Sequence, residues 1–276
     1  MRIEAIVVDN GSSDGSREMI RSEFPSAILV ENARNEGFAR ATNQALARAT
    51  GEYLFLLNSD AEVRPGCVER LVEAAETDPG IGPVGPRLLN PDGTVQESWG
   101  PFPRAVHRFL PGRFEQRYRG QVEKELSASP DRTARVEWLS GAALLFRRNV
   151  LETVGPLDER FFMWYDDLDW CQRARRAGYD RVLVSNAEVI HHGRQSGSRL
   201  GSQELATQLF DSEYTYLRLH GGRPNVCATF ALRVGKALLR RVAASPPARA
   251  DAAFRLAYHR TRLIRFCLAP LPPRRP

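Results

Sequence analysis

Ile3-Glu4-Ala5-Ile6-Val7-Val8 runs directly into Asp9-Asn10-Gly11-Ser12-Ser13-Asp14-Gly15. A short apolar run interrupted only by Glu4 reads as a buried strand that ends in a polar turn. A helix is predicted from Asp14–Ser16 to near Phe24. Ala27 to Glu31 makes a second strand, and Ala39 to Ala49 is an Ala-rich helix ended by Gly51. Tyr53-Leu54-Phe55-Leu56-Leu57 is a third strand, too apolar for an exposed edge, and it stops at Asn58-Ser59-Asp60. Pro65 suits the first position of the next helix, which carries Val68, Leu71, Val72 and Ala75 at helical spacing. Strand, helix, strand, helix, strand in this order predicts a parallel sheet with right-handed crossovers. Ligands of such sheets bind beyond the carboxyl ends of the strands, so Asp9 and Asp60 are expected to face one crevice.

Beyond residue 82 the pattern changes. Gly and Pro recur, Asn90-Pro91-Asp92-Gly93 is a turn, and the polar stretch 111–133 shows no legible element. Val136 to Arg147 is strand-like, Asp166 to Ala177 is a helix stopped by Gly178, and Arg181–Ser185 and Glu188–His191 are extended. Ser-Pro-Pro-Ala-Arg-Ala at 245–250 reads as a linker between two basic helical pieces, with a Pro/Arg-rich, disordered end.

With 276 residues, 42% of them hydrophobic, the chain can bury one large α/β core plus an appendage. The division expected is a catalytic domain at 1–222 and a basic helical extension at 223–276. The net charge of +6 is uneven, because residues 233–276 hold eleven Arg and Lys against the single acid Asp251. Cysteines at 67, 171, 227 and 267 show no C-x-x-C pairing and read as free thiols of a reducing compartment. No leader opens the sequence, and no apolar run approaches the roughly 20 residues that span a bilayer. A cytoplasmic protein is expected, with contact at the inner face of the plasma membrane through Arg-rich helices interleaved with Leu, Val and Phe. A helical pair packed on the domain explains the same tail equally well. Nothing upstream resembles a nucleic-acid module, so no nucleic-acid partner is expected.

Five constellations can carry chemistry. Asp60, at a strand end, can hold a hard divalent cation beside a diphosphate, or simply cap its turn. The 9–16 loop, with Asp9, Asn10 and Ser12, suits a sharply turning backbone that offers hydrogen bonds to a nucleotide; an ordinary helix-capping loop looks similar. In Asn35-Glu36-Gly37-Phe38-Ala39-Arg40-Ala41-Thr42-Asn43, Arg40 and Asn43 lie one turn apart and can point at one ligand, or form a solvated face. Asp166-Asp167-Leu168-Asp169 follows an aromatic run at a helix N-terminus, where the dipole favours an ionised carboxylate able to act as a general base. Capping accounts for one of these three acids, not all. His191-His192 ends a strand, so its two rings point to opposite sides and one of them at most reaches the crevice, to touch a metal or diphosphate or to pack.

Taken together, VVDNGSSDGS at 7–16, NEGFARATNQAL at 35–46, LFLLNSDAEV at 54–63, WLSGAALLFRR at 138–148, GPLDERFFMWYDDLDWCQRARRAGY at 155–179 and IHHGRQS at 190–196 resemble the family-2 glycosyltransferases of the GT-A fold, and among them the rhamnosyltransferase-like group. The resemblance covers residues 3–200. It implies a mostly parallel central sheet lacking its first strand, since the second strand of the family's pattern lies almost at Met1. It also implies an inverting transfer from a dTDP- or UDP-linked sugar, rhamnose first, to a cell-envelope glycan or lipid-linked acceptor. Asp9, Asn10, Ser12, Asn35, Gly37, Arg40, Asn43 and Asn58 would bind the nucleotide sugar. Asp60 and His192 would hold Mg or Mn, Asp167 would be the base, and Trp138, Gly141, Ala142 and Asp166 would shape the acceptor side. Asn58 stands where the usual acidic pair has its first acid. A degenerate homologue that binds nucleotide or partner proteins without turnover is the alternative. Nucleotidyl transfer is disfavoured, because its Gly-rich N-terminal loop is absent.

Overall fold

The computed structural model describes residues 2–103, 111–129, 131–193, 202–243 and most of 246–271. The predicted opening order is present as β1 (Ile6–Asp9), α1 (Ser16–Glu23), β2 (Ile28–Glu31), α2 (Phe38–Leu46) and β3 (Tyr53–Leu57). It continues through β4 (Ala61–Val63), α3 (Cys67–Glu76), β5 (Ile81–Leu89), β6 (Trp99–Gly100), α4 (Pro111–Ala128) and β7 (Thr133–Arg135). Then follow β8 (Trp138–Leu139), β9 (Ala143–Arg147), α5 (Arg148–Val154), α6 (Asp166–Arg176), β10 (Asp180–His191), α7 (Ser202–Ala243) and α8 (Pro246–Leu263).

A six-stranded sheet has the order β3-β9-β5-β10-β4, with β7 also on β10, while β1 and β2 form a separate parallel pair and β6 and β8 a small antiparallel one. The large sheet is mixed, not mostly parallel. Only β5 and β10 are parallel neighbours; β9 runs against β3 and β5, and β4 and β7 run against β10. The chain enters β9 directly from β8, with no helix to return it to the starting edge, so it must run against its neighbours.

The pleat of the sheet sorts its side chains. In β9, Leu144 and Phe146 enter one core cluster and Ala143 and Leu145 the other; in β10, Leu183 joins the first and Val182 and Val184 the second. This period of two means that the sheet is covered on both faces. Cys67, Leu71, Ala74 and Ala75 of α3 cover one, and Trp170, Cys171 and Ala174 of α6 belong to the other. Phe146 meets Trp170 with ring centroids 4.5 Å apart, and the indole N–H donates to Gly155 O at 2.9 Å, so this large buried side chain leaves no polar atom unpaired. Arg147 and Arg148 leave the end of β9 and donate to the carbonyls that end α3 and follow α2: Ala75, Pro79 and Ile81, and Ala49 and Gly51.

Three sequence readings change. The Gly/Pro-rich stretch after 82 is the nine-residue strand β5, buried along nearly its whole length. A Cβ at Gly82 would lie 2.7 Å from Tyr179 Cβ, and one at Gly85 2.9 Å from Leu139 Cδ2, so the glycines admit neighbours that any side chain would exclude. The polar stretch 111–133 contains helix α4, whose Val122 and Leu126 are buried. The expected linker at 245–250 falls largely within α8, which Pro246 opens at a position where a missing N–H costs nothing. α7 is broken at Gly222 (φ 69, ψ −177), and its Phe210, Tyr214, Tyr216 and Leu217 are buried with Tyr258 and Phe266 in the first core cluster.

The β1–α1 turn is held against the β2–α2 loop by backbone contact. Gly11 has φ +87, and a Cβ there would lie 2.7 Å from the Arg34 carbonyl carbon; Gly15 has φ +83 with nothing within 4 Å. Gly11→Ala is expected to cost about 2–5 kcal/mol, left-handed strain plus overpacking, and Gly15→Ala only about 1–2 kcal/mol. Chemical denaturation of the two variants checks the difference; equal losses would refute the close approach.

Candidate functional site

Asp9 ends β1 and is buried, and its carboxylate accepts the Ser12 N–H at 3.2 Å and Arg17 Nε–H at 2.5 Å. Burial pushes its pKa up, but the bonds from Ser12 and Arg17 outweigh it and hold the group below the usual carboxylate range. The next residue joins the two loops. Asn10 Nδ2 donates to Asn35 Oδ1 at 3.0 Å and Gly37 O at 3.2 Å, and Asn10 Oδ1 accepts from Asn32 Nδ2 and the Glu36 N–H, each at 3.0 Å. Asn32 also exchanges two bonds with Gln44 of α2. Arg40 and Asn43 do not converge. Arg40 pairs with Glu36 at 3.0 Å, whereas the Asn43 amide binds Leu157 through both its N–H and C=O, fastening α2 to the 155–160 loop. A rotation of 300° between positions three apart leaves enough angle for the two to find separate partners.

Asp60 lies in the turn between β3 and β4. The histidine that reaches it is His191, not His192: His191 Nε2 is 3.2 Å from Asp60 Oδ1 and 3.3 Å from Asn58 Nδ2, while His192 turns outward to Glu62 Oε1 at 2.8 Å. The pleat of β10 decides this, because His191 shares the parity of the buried Ala187 and Val189. Counting from those two residues would have selected it from sequence. Gln96, unremarked in the sequence, fixes the ring: its Nε2 donates to Asn90 Oδ1 and His191 O, so its Oε1 accepts the Nδ1–H at 2.6 Å. Nε2 is left to face Asp60, and in the neutral ring it does so with its lone pair. One carboxylate and one imidazole suit Mn or Mg, and Gln96 is the kind of outer partner that orients a ligating ring. Among the described residues no group of three or more His, Cys, Asp and Glu converges, so phosphate oxygens and water would complete such a site.

The three acids of α6 have three different roles. Asp169 is buried between Arg173 Nε and His220 Nε2, each at 2.8 Å, and is structural. Asp166 is buried, and desolvation, with the Asp167 charge next, lifts its pKa well above the carboxylate range. Asp167 is half-buried; its Oδ2 accepts the Gly141 N–H at 3.0 Å and its Oδ1 that of Leu168 at 2.8 Å. Desolvation raises its pKa too, and those backbone bonds moderate the rise. Trp164 (φ 62) and Tyr165 (φ 64) precede the helix, both left-handed, a conformation that costs bulky residues free energy and that sequence reading did not anticipate.

Ser140-Gly141-Ala142 joins these parts. Ala142 O accepts the Asn58 N–H at 2.9 Å while Gly141 donates to Asp167, so neighbouring peptides hold the Asp60 turn and the Asp167 helix together. A Cβ on Gly141 would touch Asp167 Cβ at 3.5 Å and the Phe38 ring at 3.6 Å. Phe38 N–H donates to Phe162 O at 2.8 Å, and Gly37 has φ +89 with Phe162 O 2.8 Å from where its Cβ would stand. Hydrogen bonds thus tie Asn10 to Gly37, Phe38 to Phe162, and Gly141 and Ala142 to Asp167 and Asn58. Trp138 pairs with Gly100 of β6, its indole N–H donating to Pro101 O at 3.2 Å. Arg194 to Gly197, after the histidines, lie outside the described residues.

Residues 1–153 match the family model described as "Glycosyl transferase family 2". The chain belongs to this family. The glycosyltransferase is 32% identical over 234 residues to the N-acetylglucosaminyl-diphospho-decaprenol L-rhamnosyltransferase of Mycobacterium tuberculosis, covering 75% of this chain and 74% of that one. It is 26% identical over 204 residues to the low-salt glycan biosynthesis hexosyltransferase Agl10 of Haloferax volcanii, covering 68% and 59%. Its fold is similar to that of GalNAc-T7 solved with UDP, GalNAc and Mn2+, with a TM-score of 0.54 at 16% identity over 78% of this chain and 43% of that one. It is also similar to the mannosyltransferase PcManGT of Pyrobaculum calidifontis solved with GDP-Man and Mn2+, with a TM-score of 0.50 at 19% identity over 94% and 77%. The fold of the glycosyltransferase is of the GT-A type.

Asp166 gives a test in which the sign is fixed. Its pKa is raised in the folded state, so its contribution to stability is present below the ordinary carboxylate value of about 3.9 and is lost as pH rises from there towards the folded value. Asp166→Asn removes that loss. The Tm of the variant relative to the parent is expected to be higher at pH 7 than at pH 4; a pH-independent difference would contradict a buried, proton-holding Asp166.

Proposed function

We propose that the glycosyltransferase moves L-rhamnose from a dTDP-linked donor, rather than a UDP-linked one, to a cell-envelope glycan or lipid-linked acceptor, inverting the anomeric carbon. The observation that carries this reading is Asp167, half-buried at a helix N-terminus and fixed by the Gly141 N–H beside the Asp60 turn. The choice of sugar and acceptor rests on the activity named for the Mycobacterium tuberculosis relative.

Asp167 would take the proton of the acceptor hydroxyl as that oxygen attacks the anomeric carbon, and the bond from that carbon to the diphosphate breaks with its electron pair leaving on phosphate. A carboxylate whose pKa is raised is a stronger base, once ionised, than an exposed one. Asp9, Asn10, Ser12, Asn35 and Gly37 would receive the nucleotide, and Trp138, Gly141 and Ala142 would line the acceptor side. Bound Mg or Mn, held by Asp60 and His191, would neutralise charge on the departing diphosphate. Asp9 already holds Arg17, so the nucleotide must share or displace that ion pair.

The described helices include none long and apolar enough to cross a membrane. The location proposed is the cytoplasmic face of the plasma membrane. Lys236 and the exposed Leu238 and Leu239 of α7 support it, whereas Arg233, Arg255, Arg262 and Arg265 are engaged by Glu213, Asp251 and Asp211.

Calorimetric titration with dTDP and UDP, with and without Mn, tests the donor half. Asp60→Ala and His191→Ala are each expected to weaken Mn-dependent dTDP binding by about tenfold or more, and His192→Ala to leave it unchanged. Absence of any nucleotide binding would end the transferase reading. For the chemical step, Asp167→Asn is expected to lower kcat of rhamnosyl transfer by about 10²–10⁴ with dTDP affinity unchanged. Retained turnover would remove Asp167 from the role of base.

A further inference from the structure

A cavity of about 250 Å3 lies where the loop after β6, helix α6 and the break in α7 meet, lined by Phe102, Pro103, Gln172, Tyr216, Leu217, His220, Gly221 and Asn225. None of the residues assigned above to donor, base or acceptor lines it. Its polar groups have capacity to spare. The His220 side chain is only 8% exposed, its Nε2–H donates to Asp169 Oδ1 at 2.8 Å, and among the described residues its buried Nδ1 has no hydrogen-bond partner. A neutral ring with its proton on Nε2 presents a lone pair at Nδ1, and a charged one presents an N–H there. A buried polar atom left in this state costs free energy unless a ligand or water meets it. Asn225 donates through Nδ2 to Gly221 O at 3.0 Å, which leaves its Oδ1 as an acceptor. Among the described residues the Gln172 side chain has no hydrogen-bond partner. The rest of the wall is apolar and aromatic: Phe102, Pro103, Leu217 and Tyr216, whose ring stacks 4.7 Å from that of His220.

The backbone is built around this opening. Gly222 breaks α7 at a φ of 69, directly after His220 and Gly221. A Cβ at Gly221 would fall 2.1 Å from Asn225 Nδ2, so only glycine leaves the Asn225 amide in place.

Amide and imidazole groups beside aromatic and apolar faces, with no Lys or Arg among the described residues of the lining, match a neutral polyhydroxylated ring. A nucleotide or phosphate would need cations, and the described wall residues supply none. The volume lies just under the roughly 300–1,000 Å3 of pockets for larger ligands, which limits the occupant to one ring. We infer that this cavity is a subsite for a single neutral sugar unit of the acceptor glycan, separate from the Asp60–Asp167 crevice and coupled to it through Asp169 of α6. The inference rests on the transferase reading for the acceptor as the source of that sugar.

The test uses the full chain, ring-labelled at histidine, titrated in NMR with L-rhamnose, N-acetylglucosamine, D-galactose and D-glucose, each without nucleotide. At least one is expected to shift the His220 resonances saturably. Gln172→Ala/Asn225→Ala, checked to melt at the parent temperature, is expected to weaken that binding at least tenfold; if the pair fails to fold as the parent does, the single Gln172→Ala variant, on a half-exposed helix face, takes its place with a smaller loss. dTDP and Mn titrated into the same samples separate the two ideas. Saccharide binding without nucleotide binding keeps the subsite and removes the transferase reading. Nucleotide binding with no saccharide shifting His220, or with a shift that the variants leave intact, overturns the subsite.

Discussion

Two hydrogen bonds made by the backbone of adjacent residues hold the candidate site of this molecule together. Ala142 O accepts from Asn58 and Gly141 N–H donates to Asp167. The chain between β8 and β9 is so short that these groups cannot move independently, and β9 is itself zipped to β3, the strand that delivers Asn58. Positioning a base within a few tenths of an ångström of its working place needs supports of this kind, which lie on regular elements. The antiparallel insertion of β9, which breaks the expected parallel sheet, is what makes the arrangement possible. A parallel crossover would have brought the chain to the same strand end from outside, through a helix and a longer loop.

The carboxylates share a second constraint. Three negative charges in four residues cannot all persist in a desolvated helix start. The protein separates them by surroundings: Asp169 receives Arg173 and His220, Asp166 is denied water and cations, and Asp167 keeps two backbone donors. Of the three, Asp167 alone is both partly exposed and bonded to two backbone N–H groups.

Much of this was legible in the residues. β1, β2, β3 and the helices between them follow from apolar runs and helical spacing, and the N-terminus of α6 from its acids. What stayed hidden depends on contacts distant in the chain. β5 carries Gly82, Pro83, Gly85 and Pro86, which argue locally against a central strand, and only the approach of Tyr179 and Leu139 explains them. His191 and His192 are alike as letters; the parity of β10 separates them. Asn43 looked like a ligand group because it lies in a polar helix start, yet its partner is Leu157, more than a hundred residues away. Gln96 and Arg17 gave no signal at all, since each acts by orienting another side chain.

The join between the β1–α1 turn and the β2–α2 loop is made of Asn10, Asn32, Asn35 and Gln44, four neutral amides bonded to one another and to peptides. Ion pairs weaken as ionic strength rises, and titratable groups rearrange as protons come and go. Neutral amides do neither. The amide bonds of this join are therefore indifferent to the salt and acidity around them, while Arg17, which ties Asp9 to the Asn32 carbonyl at 2.7 Å, is its charged clasp. Brine and fresh water would meet the same amides and a differently screened clasp.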